Sequence, residues 1–282
     1  MQQGTSEWLE FRRSKLGASD APIVLGISPY KTPHELWLEK TGRKEPPAMN
    51  YAMKRGHELE DSLRIAYEEL TGNIMMPKVV IHDEFGWLVA SLDGVNVDSS
   101  IILEIKTCNA KTFEAAKSGE PVDHHYAQMQ HQLACVPDAE FVHYFIEHKG
   151  EHHLLKVVRD EEYIQKLICE LIMFHQCMVE DIAPELTEDD YVVIEHDPEF
   201  AEAAQLWLSA KESLDEAKKA YDTAKSSLIE FTDDGNCMGY GVVLTRCQRK
   251  RTDWKQAALD AKVDISQYTT ESIGYWTVRE AR

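Results

Sequence analysis

Residues 91–107 read SLDGVNVDSSIILEIKT, and the placing of charge in this stretch decides the fold. Two apolar runs separated by an Asp-Gly signal alternate with the two-residue period of strands joined by a turn. Yet Asp93, Glu104 and Lys106 sit among them. A charge buried in a sheet is costly unless it meets a partner or a metal. In the LEIK segment, Glu104 and Lys106 are two residues apart, so a strand projects both from one face while Leu103 and Ile105 point into core on the other. A hairpin of this length brings Asp93 beside Glu104, so two carboxylates and an ammonium converge.

The neighbouring segments give this hairpin its setting. IMMPKVVIHD, GWLVASLDGV and SIILEIKT, between residues 74 and 107, are β-branched runs separated by turn residues, which predicts an antiparallel sheet. Before them, SEWLEFRRSKLGASDAPIVLG reads as a helix, a short Gly-containing turn and a second helix that Ser19 or Asp20 would cap. TPHELWLEKTG and MKRGHELEDSLRIAYEELTG are two further helices, the second with Leu59, Leu63, Ala66, Tyr67 and Leu70 at helical spacing. After the sheet come a helix over residues 122–135, a hairpin turning at Lys149-Gly150, and an amphipathic helix over 160–180. The order helices, sheet, helix, hairpin, helix predicts an α+β (mixed α/β) fold.

An acidic connector, EDIAPELTEDD, separates a domain of residues 1–190 from a C-terminal appendage of 198–282. In the appendage Phe200, Trp207, Leu214, Tyr221 and Leu228 recur every seven residues, with Ala203, Ala210, Ala217, Ala224 and Phe231 three positions later. Small residues at the second heptad position predict a long helix that packs closely against its own chain or a neighbour; an ordinary amphipathic helix fits the same pattern. Beyond it, GYGVVLTRCQRKR and IGYWTVREA read as two strands around a short helix at WKQAALDAK, and Arg246, Arg249, Lys250 and Arg251 form a dense basic cluster.

The chain has 282 residues, 43% hydrophobic and 28% charged, which is globular usage with enough apolar material for a core. No run approaches the roughly 18 apolar residues of a membrane span, and the MQQGTSEWLEFRR start lacks a signal-peptide stretch, so a cytosolic protein without membrane contact is expected. Six scattered cysteines with no CxxC pair predict reduced, buried thiols and disfavour a zinc or iron–sulfur cage. His124, His125 and His131 share one helix at spacing poor for chelation, and are expected at the surface. The formal charge is −19. Residues 198–282 carry 12 Lys/Arg and 14 Asp/Glu, so −17 of it lies in residues 1–197. That argues against a protein that coats nucleic acid through a general basic surface. It is compatible with a carboxylate metal site that handles a polyanion through a local channel, because Mg²⁺ and Mn²⁺ prefer oxygen ligands and water.

Taken alone, Asp93 followed by Glu-x-Lys also fits a salt-bridged strand. Its surroundings add to it: LDGV and ILEIKT resemble the core of the PD-(D/E)XK nucleases. WLEFRRSKLGASD, SPYKTPHELWLEKTG, RGHELED, SLDGV, LEIKT and YAQMQHQLA together resemble the YqaJ/lambda-exonuclease family of viral recombination nucleases, from Trp8 to about Cys135. The resemblance implies a restriction-endonuclease-like core, with a central mixed sheet flanked by helices and the long helix and small β-hairpin as an appendage. It implies Asp93 and Glu104 as metal ligands with the Ile105 carbonyl, Lys106 as the catalytic lysine, Glu60 as a helical acid near a second metal or its water, and Gln128 beside the scissile phosphate. It implies Arg12 as the hook for a terminal 5′-phosphate, with the Ser19 and Ser91 hydroxyls nearby. Leu92 departs from the Pro of the superfamily motif, at a position that shapes a turn.

The activity so implied is 5′-to-3′ exonuclease action on linear duplex DNA, with two Mg²⁺ ions (or Mn²⁺ in their place) flanking the phosphate. It would leave 3′ overhangs for a single-strand annealing partner, in the bacterial host of a phage or prophage. A ring-shaped homo-oligomer is expected, trimer ahead of tetramer. Alternatives are a flap or structure-specific nuclease of the same superfamily, and a non-catalytic scaffold that binds DNA ends; intact Asp93, Glu104 and Lys106 argue against the second.

Overall fold

The computed structural model describes residues 11–48, 51–232, 235–246 and 261, which fall into two compact units dividing between Val192 and Val193. In the first unit the elements are β1 (Leu16–Gly17), a 3₁₀ turn (Ala18–Asp20), α1 (Ala21–Val24), α2 (Pro33–Lys40), α3 (Tyr51–Thr71), β2 (Met76–Ile81), β3 (Leu88–Val95), β4 (Ile101–Thr107), α4 (Ala110–Lys117), α5 (Asp123–Cys135), β5 (Phe141–His148), β6 (Glu151–Val158) and α6 (Glu161–Val179). A 3₁₀ turn at Glu188–Asp190 follows.

Six strands form one mixed sheet in the order β1-β3-β4-β5-β6, with β2 on the other edge of β3. The predicted antiparallel arrangement of residues 74–107 holds for β2, β3 and β4. β4 and β5 are parallel, so the chain must cross over between them, and α4 and α5 make that crossover. The β5–β6 hairpin turns at Lys149-Gly150, where both residues have positive φ (49° and 85°). That geometry matches the twist of the flanking strands, and glycine adopts it without strain.

Local signals explain the helices. Thr32 caps α2 by accepting from Glu35 N while the Glu35 side chain returns to Thr32 N, with Pro33 at the first position. Asn109 and Asp160 cap α4 and α6 in the same side-chain-to-backbone manner. One face of the sheet packs on α1, α2, α4, α5 and α6 through residues such as Leu16, Leu36, Trp37, Phe113, Met129, Leu133, Ile164 and Leu171. The other face, Leu103, Ile105 and Phe145, packs on Leu63 and Tyr67 of α3. The two flanks are unequally anchored. α5 buries eight of its thirteen residues, whereas among the described residues of α3 only Leu63 and Tyr67 are buried. A fully buried large apolar side chain contributes about 1.5–3 kcal/mol, so α5 is the firmer wall.

Several expectations need correction. Leu16–Gly17 is a strand parallel to β3, where the sequence reads only a turn; Leu16 and Gly17 pair with Leu88 and Val89. Asp20 stands at the N-cap position of α1 without a capping bond. Its Oδ2 instead accepts from Gly17 N at 2.8 Å and from Lys40 Nζ at 2.6 Å. Leu70 is 64% exposed, because the packed stripe of α3 ends at Tyr67. His131 is buried, its Nε2–H donating to the Val89 carbonyl at 3.0 Å, since α5 lies across β3 there. Among the five described cysteines, all free thiols, Cys135 is buried and Cys169 exposed.

In the second unit the predicted long helix forms as α7 (Pro198–Glu230), capped by Asp197. None of its residues is buried by the described residues of this chain. The segment read as one strand from Gly239 is a short hairpin, β7 (Cys237–Gly239) and β8 (Val242–Leu244), turning at Tyr240 and Gly241. Trp8, the basic residues Arg249, Lys250 and Arg251, the predicted helix at 254–262 apart from residue 261, and the predicted strand after it lie outside the described residues.

Candidate functional site

The site is built on a fork between β3 and β4. β2 runs along one edge of β3; the other edge is taken by β1 at Leu88 and Val89 and by β4 only at Gly94 and Val95. Between those contacts the edge of β3 is open, and Asp93 lies at the crotch. Opposite β2, the register steps from Met76–Val95 to Lys78–Leu92, so β3 carries one extra residue, a β-bulge across Asp93-Gly94. A bulge re-aims the side chain at its position. Here the Asp93 carboxylate turns toward β4 and its Oδ2 accepts from Ile105 N–H at 2.8 Å, occupying the place a strand partner would have had. Gly94 permits the close approach: a Cβ there would lie 2.8 Å from Met75 Cβ and 3.2 Å from Leu103 Cβ.

On β4 the alternation expected from LEIK is present. Leu103 and Ile105 enter the α3-side core, and Glu104 and Lys106 share the opposite face, toward α5. Glu104 is 1% exposed and fully engaged: Lys106 Nζ lies 2.5 Å and Gln128 Nε2 2.6 Å from Oε1, and Gln132 Nε2 donates to Oε2 at 2.5 Å. Lys106 is 29% exposed, the accessible end of this group. Burial opposes its positive charge, but Glu104 and Asp93 outweigh burial and hold its pKa above the usual lysine value. Asp93 is pushed well above the ordinary carboxylate range, first by burial and next by Glu104, with Glu60 adding to it and Lys106 opposing.

Glu60 comes from α3. Arg64, one helical turn on, donates through Nη2 to Glu60 Oε1 at 2.9 Å and through Nε to the Asp93 carbonyl at 2.7 Å, tying the helical acid to the bulge. Sequence reading missed Arg64 and Gln132. Each lies four residues after a residue it did single out, Glu60 and Gln128, and that spacing was the available signal.

Arg12 and Ser19 form a second group: Arg12 Nη2 donates to Ser19 Oγ at 3.2 Å and stands 3.9 Å from Asp20 Oδ1. Burial works against the Asp20 carboxylate, but Lys40 and Arg12 carry its pKa down to about 2. Ser91 lies on β3 two residues before Asp93, with its Oγ enclosed and without a hydrogen-bond partner.

A cation fits the first group on chemical grounds. Asp93 and Glu104 share one ammonium, Lys106, while Glu60 is paired with Arg64, and the Glu104 charge adds to burial in raising the Asp93 pKa. Among the described residues no three His, Cys, Asp or Glu side chains close a cage by themselves. The donor set of Asp93, Glu104 and the Ile105 carbonyl therefore suits a hard ion that keeps several waters, as Mg²⁺ does. No described helix is long and apolar enough to cross a membrane.

Comparison with known proteins agrees with this architecture. Residues 7–139 match the model of the YqaJ-like viral recombinase domain. The chain is 32% identical over 166 residues to the uncharacterized protein YqaJ of Bacillus subtilis strain 168, an alignment covering 57% of this chain and 52% of that relative; it thus spans about half the relative's length. Among solved structures it is similar to an alkaline exonuclease, LHK-Exo, from Laribacter hongkongensis, at a TM-score of 0.56 and 26% identity over 63% of this chain and 94% of that one. The same enzyme in complex with dAMP matches at a TM-score of 0.55, with the same identity and coverage.

Proposed function

We propose, on the match of residues 7–139 to the YqaJ-like viral recombinase domain, that the protein is a metal-dependent exonuclease that degrades one strand of linear duplex DNA from its 5′ end. The observation that carries this reading is the meeting of Asp93, Glu104 and Lys106 at the β3–β4 fork, under the Gln128 and Gln132 amides. The likeness to an alkaline exonuclease supports it.

A divalent cation held by Asp93, Glu104 and the Ile105 carbonyl, with Glu60 as the acid for a second ion or its water, would make water nucleophilic and offset charge on the phosphodiester. The protein's own groups do the rest. Lys106, charged at neutral pH and accessible at its tip, orients the attacking water and faces the developing charge on phosphate. Gln128 and Gln132 hold the Glu104 carboxylate in one rotamer on the firmer wall of the site, and Gln128, the less buried of the two, is placed to meet the phosphate as well. Arg64 fixes Glu60 relative to Asp93. Arg12, with Ser19 beside it, receives the 5′-phosphate of the shortened strand through a charge-assisted contact that favours ends over internal sites, with the enclosed, unpartnered Ser91 hydroxyl as a further donor once the strand is bound. The product would be duplex with 3′ overhangs, the substrate of a single-strand annealing protein, and the working form a ring-shaped homo-oligomer, trimer ahead of tetramer.

The test compares end-labelled linear duplex with closed circular duplex in Mg²⁺, for the parent and Lys106→Ala. Release of 5′ mononucleotides from linear DNA alone, lost in the variant, is expected. Equal attack on the circle returns the assignment to a structure-specific nuclease, and no cleavage of either leaves a binding scaffold.

A further inference from the structure

A line of rings beginning at Tyr30 has no part in the mechanism above. Tyr30, in the loop after α1, is 83% exposed and meets His124 edge-on, with centroids 5.9 Å apart at 89°. His124 contacts His125 at 4.3 Å, and His125 contacts Tyr144 at 5.6 Å and is hydrogen-bonded to its hydroxyl at 2.6 Å. Tyr144 is the β5 residue opposite Glu104. Four rings therefore run from solvent to the strand position beside the buried carboxylate of the fork. The two imidazoles also feel Lys106: burial first and Lys106 next lower both, His125 to about 2, so they are neutral, stackable rings at pH 7.

The inner rings are packed, and the outermost is not. The perpendicular contact braces Tyr30 while leaving its ring 83% exposed, so a flat partner has an open aromatic surface to stack on. In a protein that works on nucleic acid the flat partner at hand is a base, and stacking on an aromatic tolerates every base because each has a π-face.

We propose that Tyr30, braced by His124, is a stacking platform for the base of the nucleotide next to the scissile phosphate. It rests on the nuclease reading of the fork and adds to it the means by which the end nucleotide is parted from its complement. The platform makes no hydrogen bonds to base edges, so the enzyme it serves is indifferent to sequence. His124 is a positioning residue, acting through Tyr30.

The experiment uses the full chain with 5′-phosphorylated duplex carrying 2-aminopurine at the terminal nucleotide or well inside the duplex, and pairs its fluorescence with steady-state cleavage in Mg²⁺. For the parent and for Tyr30→Phe, which keeps the ring, the terminal probe is quenched on binding and the internal probe is not. For Tyr30→Ala the terminal quenching disappears and KM for duplex ends rises about 5- to 100-fold, with kcat changed much less; His124→Ala shifts both readouts in the same direction by less. Tyr30→Ala with parental quenching and KM overturns the platform and leaves the nuclease reading standing. A parent that cleaves no linear duplex overturns the nuclease reading and the platform with it.

Discussion

Replacing Lys106 with methionine removes the ammonium from Glu104 while keeping most of the bulk of the side chain. Glu104, 1% exposed, then retains the Gln128 and Gln132 amides but loses the cation at 2.5 Å. Taking one member from a fully buried pair costs about 3–5 kcal/mol, because the charge left behind is uncompensated. Lys106 is 29% exposed, so water already screens part of the attraction and about 1.5–3 kcal/mol is the expected loss. In metal-free protein at neutral pH that lowers Tm by about 3–12 °C. The cause is the stranded charge, so Lys106→Met/Glu104→Gln should recover at least about half of the loss, a coupling that a packing defect would not show. Activity separates from stability: both variants lose about 10²–10⁴-fold in cleavage rate, the range of a positioned proton-handling group. A single variant as stable as the parent, or a double variant no more stable than the single one, refutes the account of Glu104 as a charge held by Lys106.

Three further outcomes follow from the same geometry. Because the Asp93 pKa is raised on folding, the fold favours the protonated acid, and the parent loses stability as pH climbs from about 4, the unfolded value, through the raised one. Asp93→Asn keeps an acceptor for Ile105 N–H and carries no charge, so in EDTA its stability advantage grows with pH and then levels off; denaturant midpoints across pH would contradict this by a constant difference. Gly94→Ala forces a methyl into the Met75 and Leu103 contacts and should cost about 1–3 kcal/mol in calorimetry, with cleavage reduced beyond that loss because the bulge aims Asp93. Arg12→Ala should lose the preference for 5′-phosphorylated over 5′-hydroxyl ends while metal affinity by titration stays near parental; a parent with no such preference removes the role.

The elements with strong local signatures were legible: the Thr32-Pro33 start of α2, the Lys149-Gly150 turn, and the alternation of LEIK that sets Glu104 and Lys106 on one face. What escaped was set by partners distant in sequence. Two residues, Leu16 and Gly17, are too short a strand to carry a pattern and exist because β3 offers them an edge. The bulge at Asp93-Gly94 is a mismatch between β2 and β3, invisible in either strand alone. His131 reads as polar and therefore exposed, yet the Val89 carbonyl satisfies it inside the core. Gln132 and Arg64 were within reach, since helical spacing places them beside Gln128 and Glu60, but nothing in the sequence says which of several polar helix residues faces the sheet.

The unequal anchoring of α3 and α5 gives the fork one jaw with eight buried residues and one with two among its described residues. Glu104 and its amides belong to the first, and Glu60 with Arg64 to the second. A tilt of α3 away from the sheet would therefore have to break the Arg64 bond to the Asp93 carbonyl, the Tyr67–His143 bond at 2.6 Å and the Arg55–Glu147 pair, so the polar ties of the loose jaw do what its thin apolar contact does not.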